Sequence, residues 1–216
     1  MAAAASSSLR TAYLVLYNAA SAAAWAVVLA RTLGVLSLDG PRAVYADVNE
    51  WLTYTQSMAG MEVLHSLFGI VRAPLLTTLL QISSRLLLIW AILFPFPALA
   101  LYPTYSSMLV AWSVTEVIRY SFFAVGCLPS GKQPAFLTWL RYNTFFVLYP
   151  VGILSECSLI WLAAAGPAGG LASWAPYALY AILAIYVPGT YILYTHMMAQ
   201  RRKVLRGLKA QTAKAQ

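Results

Sequence analysis

The chain reads as all-α, an integral membrane bundle of six transmembrane helices with both termini cytoplasmic. Its 216 residues are 61% hydrophobic and only 9% charged. Several apolar runs reach about twenty residues, the length a helix needs to cross the hydrocarbon core of a bilayer and more than a soluble domain of this size has to bury. The net charge of +8 would suit nucleic acid, but six of the fourteen basic residues (Arg201, Arg202, Lys203, Arg206, Lys209 and Lys214) lie in the last sixteen positions. That distribution marks a cytoplasmic tail, solvated and topogenic, with anionic lipid as the one partner its charge would attract.

The spans follow in order. Residues 1–10 form a cytoplasmic N-terminus, 11–198 the transmembrane domain and 199–216 the basic tail. Span one is Thr11 to Leu33, a retained span rather than a signal peptide, because the apolar run is too long and no clear cleavage site follows it. The polar loop after it carries Asp39, Arg42, Asp47 and Glu50, and Val44, Val48, Trp51, Leu52 and Thr55 recur in it at helical spacing, which predicts a short interfacial helix. Span two, Trp51 to Val71, sets Glu62, His65, Gly69 and Arg72 on one inward face. Pro74 makes a turn into span three, Leu75 to Phe94, with Gln81, Ser84 and Arg85 in its first half. Pro95, Pro97 and Pro103 interrupt the chain before span four, Tyr105 to Leu128, which carries Trp112, Glu116, Arg119 and Tyr120. Span five is Phe136 to Leu162 and span six Ala175 to Met198. Arg10, Arg72, Lys132 and the tail then share one side, and Arg31 and Arg42 lie near the acid-bearing loop on the other.

Span five holds the candidate site, in the stretch RYNTFFVLYPVGILSE from Arg141 to Glu156. At about 100° per residue, Tyr142, Phe145, Tyr149, Gly152 and Glu156 share a stripe, with Tyr149 and Glu156 about 20° apart and about 10 Å along the axis. Gly152 removes the side chain that would stand between them, and Pro150 leaves the carbonyl of Phe146 without its helical partner. A notch results, with a phenol at one end and a carboxyl at the other.

Glu62, Glu116 and Glu156 all lie in spans, as do Arg85, Arg119 and Arg141, and each costs several kcal/mol there unless paired or wetted. Ion pairs, Glu116 with Arg119 one turn apart in span four and Glu62 with Arg85 between spans, are the structural explanation for four of them. Glu156 differs, because its neighbour on the stripe is a phenol and not a base. His65 reads as a satisfied core histidine, since no second ligand stands at metal spacing, and Cys127 and Cys157 form no disulfide framework or metal cluster. HSLFGIVR, His65 to Arg72, imitates the H-C-x5-R pattern of tyrosine phosphatases with Ser66 in place of cysteine. A serine hydroxyl has no thiolate character, so phosphatase chemistry is excluded.

RYNTFFVLYPVGILSE, EVLHSLFGIVRAPLLTTLLQISSR (Glu62 to Arg85) and WSVTEVIRY (Trp112 to Tyr120) together resemble the 3-hydroxyacyl-CoA dehydratases of very-long-chain fatty acid elongation, once called protein-tyrosine-phosphatase-like proteins. The resemblance covers roughly Tyr13 to Met198. It places the family's tyrosine and glutamate on Tyr149 and Glu156, with Gly152 between them. It implies a multi-pass protein of the endoplasmic reticulum that dehydrates (3R)-3-hydroxyacyl-CoA to the trans-2-enoyl-CoA beside a condensing enzyme, a ketoacyl reductase and an enoyl reductase. That reaction needs a base at C2 and an acid at the leaving hydroxyl, and no redox or metal cofactor. Glu156 as base and Tyr149 as acid use each group in its ordinary state, although the reverse assignment stays open. Arg141, Tyr142 or Arg119 would donate to the thioester oxygen, and Glu62, Arg85 and Glu116 would support the site. A small transporter and a catalytically silent scaffold of the elongation complex are the rival readings.

Overall fold

A computed structural model describes residues 2–71, 75–128 and 131–215. Their regular structure is helical throughout: α1 (Ala2–Leu38), α2 (Val44–Met58), α3 (Gly60–Leu67), α4 (Leu75–Leu86), α5 (Pro103–Gly126), α6 (Ala135–Asn143), α7 (Phe145–Ala165) and α8 (Ala175–Ala215). A π-helical stretch, Leu87–Leu93, continues α4, and short 3-10 turns occupy Pro97–Leu101 and Pro167–Gly170. Four segments are long and apolar enough to cross a membrane, namely Ser8–Leu38, Pro103–Gly126, Phe145–Ala165 and Ala175–Leu208. They cover most of expected spans one, four, five and six. Their outer faces carry exposed Leu16, Val147, Leu154, Trp161, Ile185, Val187 and Ile192, as lipid contact requires.

Expected span two is not one helix. The chain breaks at Ala59, beside the poor helix former Gly60, and α3 stops at Leu67. Gly69 then takes a φ of +64°, which a residue with a side chain rarely adopts. The expected four-residue face is thereby split: Glu62 and His65 point inward, Gly69 lies past the helix end, and Arg72 is outside the described residues. Nor does α2 bury the whole predicted stripe, because Val44, Val48 and Leu52 are fully buried and Trp51 is 45% exposed. Expected span three is α4 with its π-helical continuation, whose lengthened turn carries the Phe94 amide to the Ile89 carbonyl at 2.9 Å. Pro95 and Pro97 end it. Span five is divided at Thr144 into α6 and α7.

Side-chain contacts fix how the helices lie. Along α1, Arg31 pairs with Asp47, the Tyr17 hydroxyl donates to the Met58 carbonyl, Tyr13 bonds His65, and Arg10 donates to the Ile70 carbonyl. Thus α2 and α3 together return antiparallel along α1. Helix α5 is central, and its Tyr105, Met108, Leu109, Trp112 and Ser113 are buried together with Leu88, Ile92, Leu93, Leu159 and Ile160. Against α5, α6 and α7 run antiparallel, through Ser107 with Ser155, Trp112 with Glu156 and Phe122 with Tyr142. Finally α8 descends antiparallel to α7, through Tyr186 with Glu156, Thr190 with Tyr149, Tyr194 with Phe145 and Arg201 with Asn143.

Candidate active site

The three glutamates inside the bundle, Glu62, Glu116 and Glu156, sort into two systems, both touching α5. Trp112, Glu116 and Arg119 succeed one another by one helical turn, so one side of α5 carries them all. The first system is an ion network. Arg119 donates two parallel bonds to Glu62 of α3, at 2.8 and 2.7 Å, and a third to Glu116 at 2.6 Å. Arg85 of α4 donates to the other oxygen of Glu116 at 2.5 Å. The Tyr120 hydroxyl also donates to Glu62, while the Arg119 guanidinium lies 4.2 Å from the centre of the Tyr120 ring. The expected Glu116–Arg119 pair is therefore present. The expected Glu62–Arg85 pair is replaced by a chain, Glu62–Arg119–Glu116–Arg85, because the two-pronged guanidinium of Arg119 reaches both carboxylates. His65 is buried, bonded at 2.7 Å to the Tyr13 hydroxyl and edge-on to the ring of Tyr17.

The second system surrounds Glu156. One of its oxygens accepts the Trp112 indole N–H at 2.8 Å, and the other accepts the Tyr186 hydroxyl of α8 at 2.9 Å. No arginine or lysine among the described residues pairs with it. Arg85 of the ion network lies 5.0 Å from the centre of the Trp112 ring whose N–H holds Glu156, without bonding the carboxylate itself. Tyr149, two turns before Glu156 on α7, faces the same neighbour. Its hydroxyl donates to the Thr190 carbonyl at 3.4 Å, and its ring lies 5.9 Å from that of Tyr194.

The remaining predicted residues are dispersed around this pair. Gly152 is buried against α5, where an added Cβ would stand 3.8 Å from that of Ala111, an ordinary contact. Arg141 and Tyr142 both turn to α5: the guanidinium lies 5.2 and 4.8 Å from the ring centres of Phe122 and Phe123, and the Tyr142 ring meets Phe122 edge-on. Tyr142 thus contacts α5 while Tyr149 contacts α8, so the predicted stripe divides between two neighbours. Trp112 and Tyr186, which touch Glu156 directly, are absent from the predicted set. The spacing of Tyr186, Thr190 and Tyr194 in steps of four was the available signal for one of them. A cavity of about 430 Å³ lies elsewhere, between Pro95–Leu99, Tyr102 and Pro167, and no acid lines it.

Fold and site together define an all-helical membrane protein that keeps a carboxylate inside its bundle apart from its ion pairs, with phenols beside it. The chain belongs to the family described as protein tyrosine phosphatase-like protein, PTPLA, whose model matches residues 56–207. It is 44% identical to the probable very-long-chain (3R)-3-hydroxyacyl-CoA dehydratase of Schizosaccharomyces pombe, over 91% of this chain and 94% of the relative. Similarity to the very-long-chain (3R)-3-hydroxyacyl-CoA dehydratase PASTICCINO 2B of rice is 42%, over 94% of this chain and 97% of the relative. The corresponding PASTICCINO 2 of Arabidopsis thaliana is 39% identical, over 91% and 94%. These relatives are by name hydro-lyases. No solved structure matches the chain.

Proposed function

We propose that this protein dehydrates (3R)-3-hydroxyacyl-CoA to trans-2-enoyl-CoA in the elongation of very-long-chain fatty acids, as a multi-pass protein of the endoplasmic reticulum membrane. The observation that carries the reading is Glu156. Glu62 and Glu116 are neutralised by arginines, whereas Glu156 is held only by an indole and a phenol, on the same helix as Tyr149. Glu116 and Glu156 each accept one bond per oxygen, but Glu116 is bonded to cations that hold it as their counter-ion, whereas Glu156, bonded to neutral donors, is the carboxylate left to accept a proton.

In the proposed reaction Glu156 takes the proton from C2, the C3–O bond breaks, and the Tyr149 phenol gives its proton to the leaving hydroxyl, which departs as water. Product release returns both groups once Glu156 passes a proton back toward the phenol. Charge that builds on the thioester oxygen in this sequence calls for a donor, and Tyr142 is a predicted group not engaged with a carboxylate. The apolar faces of α7 and α8 suit a long acyl chain.

Six crossings remain the proposed topology. Because α2 and α3 return along α1 as one run, they serve as the second crossing despite the break at Ala59. The α4 helix and its π-helical continuation serve as the third. Both termini then fall on the cytoplasmic side, where the substrate thioester and the other elongation enzymes would be met. Incubating the purified protein with a 3-hydroxyacyl-CoA and following the enoyl product tests the reading: product from the native chain and none from Glu156→Gln is the expected result.

A further inference from the structure

We propose that Arg141 is a phosphate-binding group, and that the phosphate it takes belongs to the coenzyme A half of the thioester. The inference rests on the dehydratase reading and extends it to where the substrate is anchored. Arg85, Arg119 and Arg141 are three arginines inside the bundle, and the first two are committed to Glu62 and Glu116. The chain has six acidic residues, all of them described, and none pairs with Arg141. An arginine partly withdrawn from water without a counter-ion is costly, and the cost is relieved when an anion arrives.

The setting of Arg141 suits an anion that comes and goes. It stands in the last turn of α6, partly buried, with its guanidinium held against the rings of Phe122 and Phe123. Aromatic rings of this kind support the face of the guanidinium, and of its several N–H donors only part of the edge meets the Tyr142 side chain, so the rest can match the oxygens of a phosphate. The position is also right. Arg141 precedes Tyr149 by eight residues and Glu156 by fifteen, or about 12 and 22 Å at the helical rise of 1.5 Å per residue, counted through the break at Thr144 between α6 and α7. An extended pantetheine arm is of that order of length. A thioester anchored by its phosphates at Arg141 therefore lays its reacting carbons along α7 beside Tyr149 and Glu156. Arg201, by contrast, already bonds the Asn143 side-chain oxygen at 3.1 and 2.9 Å and lies over Phe146, so it serves as the control.

The test is equilibrium binding to the purified full-length chain in neutral detergent, with coenzyme A and pantetheine as the two probes. Binding needs no turnover, so the result is independent of whether Tyr149 and Glu156 perform the chemistry. A charge-assisted phosphate contact is expected to make coenzyme A bind roughly 10- to 100-fold more tightly than pantetheine. Arg141→Gln should remove that advantage and leave pantetheine unchanged, Arg141→Lys should keep part of it, and Arg201→Gln should keep most. Without ligand, Arg141→Gln should melt no lower than the native chain, since it removes an uncompensated charge. A second arm compares melting in nanodiscs of neutral lipid with nanodiscs containing phosphatidylserine. If only native protein gains from the anionic lipid, while Arg141→Gln still favours coenzyme A, the phosphate is a lipid headgroup and the coenzyme A source is overturned. If Arg141→Gln matches the native chain in both arms, or melts lower with Arg141→Lys restoring it and neither phosphate readout moved, Arg141 is structural and the proposal fails.

Discussion

Trp112 donates its indole N–H to Glu156 at 2.8 Å across the α5–α7 contact, and Tyr186 holds the other carboxylate oxygen from α8. Three helices therefore fix one side chain. Loss of either donor leaves an oxygen of a buried carboxyl without its partner, at about 1–3 kcal/mol, and frees the group to turn. A misplacement near 1 Å can cost about 10²-fold in rate. Trp112→Phe and Tyr186→Phe should each lower kcat for 3-hydroxyacyl-CoA by about that factor, with KM little changed and with the protein still folded. Steady-state kinetics on material normalised by size-exclusion chromatography checks this.

The ion network predicts a stability effect that the Glu156 site does not share. Arg119 alone joins Glu62 to Glu116, and the Glu116 side chain is only 4% exposed. Removing the guanidinium leaves Glu62 with no cation and Glu116 with Arg85 alone, and breaking a buried pair from one side costs roughly 3–5 kcal/mol. Arg119→Ala should accordingly express poorly and melt well below the native chain, and Arg119→Ala with Glu62→Gln should recover part of the loss. Equal melting of the two variants would show that Glu62 does not depend on Arg119.

Much of this arrangement was legible from residue types and spacing. The all-helical class, the four long apolar helices and the Glu116–Arg119 pair follow from hydropathy and a one-turn step. What the sequence hid is tertiary. Helical spacing ran span two unbroken and put Glu62 and Gly69 on one face, but the break at Ala59 and the left-handed Gly69 depend on how α2 and α3 pack against α1. It likewise offered Arg85 to Glu62, whereas the reach of the forked Arg119 side chain decides the pairing. Trp112 and Tyr186 lie 44 and 30 residues from Glu156. No local periodicity brings them there.

Topology can be read with accessible tags. Arg10 meets the Ile70 carbonyl at one end of α1 and Arg31 meets Asp47 at the other, which sets the two ends of the bundle. With the basic residues after Met198 held on the cytoplasmic side, tags at Ala5 and Gln216 should both be reached after selective permeabilisation of the plasma membrane. A tag at Pro41 should be protected. Termini on opposite sides would remove the six-crossing arrangement.

Ser66 tests the phosphatase-like motif from which the family takes its description. It lies on α3 one residue after His65, whose ring is occupied by Tyr13 and Tyr17. Ser66→Ala should keep dehydratase activity within a few-fold, and Ser66→Cys should release no phosphate from a phosphotyrosine substrate. Phosphate release by either variant would reopen the excluded chemistry.

Tyr149 and Glu156 are the last and most decisive pair, because groups that act in one transition state lose their effect together. Once one is gone, removal of the other costs little. Tyr149→Phe keeps the ring against Tyr194, and Glu156→Gln keeps nearly the same volume between Trp112 and Tyr186, so both variants should remain folded. General acid or base assistance is worth about 10²- to 10⁴-fold. Each single variant should lose at least that much turnover, and the double variant should be scarcely worse than the poorer single one. Glu156→Asp sharpens the test by keeping the charge while drawing the carboxylate about one methylene away from the Trp112 and Tyr186 donors. A loss near 10²-fold in that variant would mean that position, and not charge alone, sets the rate. Multiplicative losses in the double variant would instead mean that the two groups act in separate steps, and normal activity per folded molecule of Glu156→Gln would make the carboxylate a packing partner of α5 and α8.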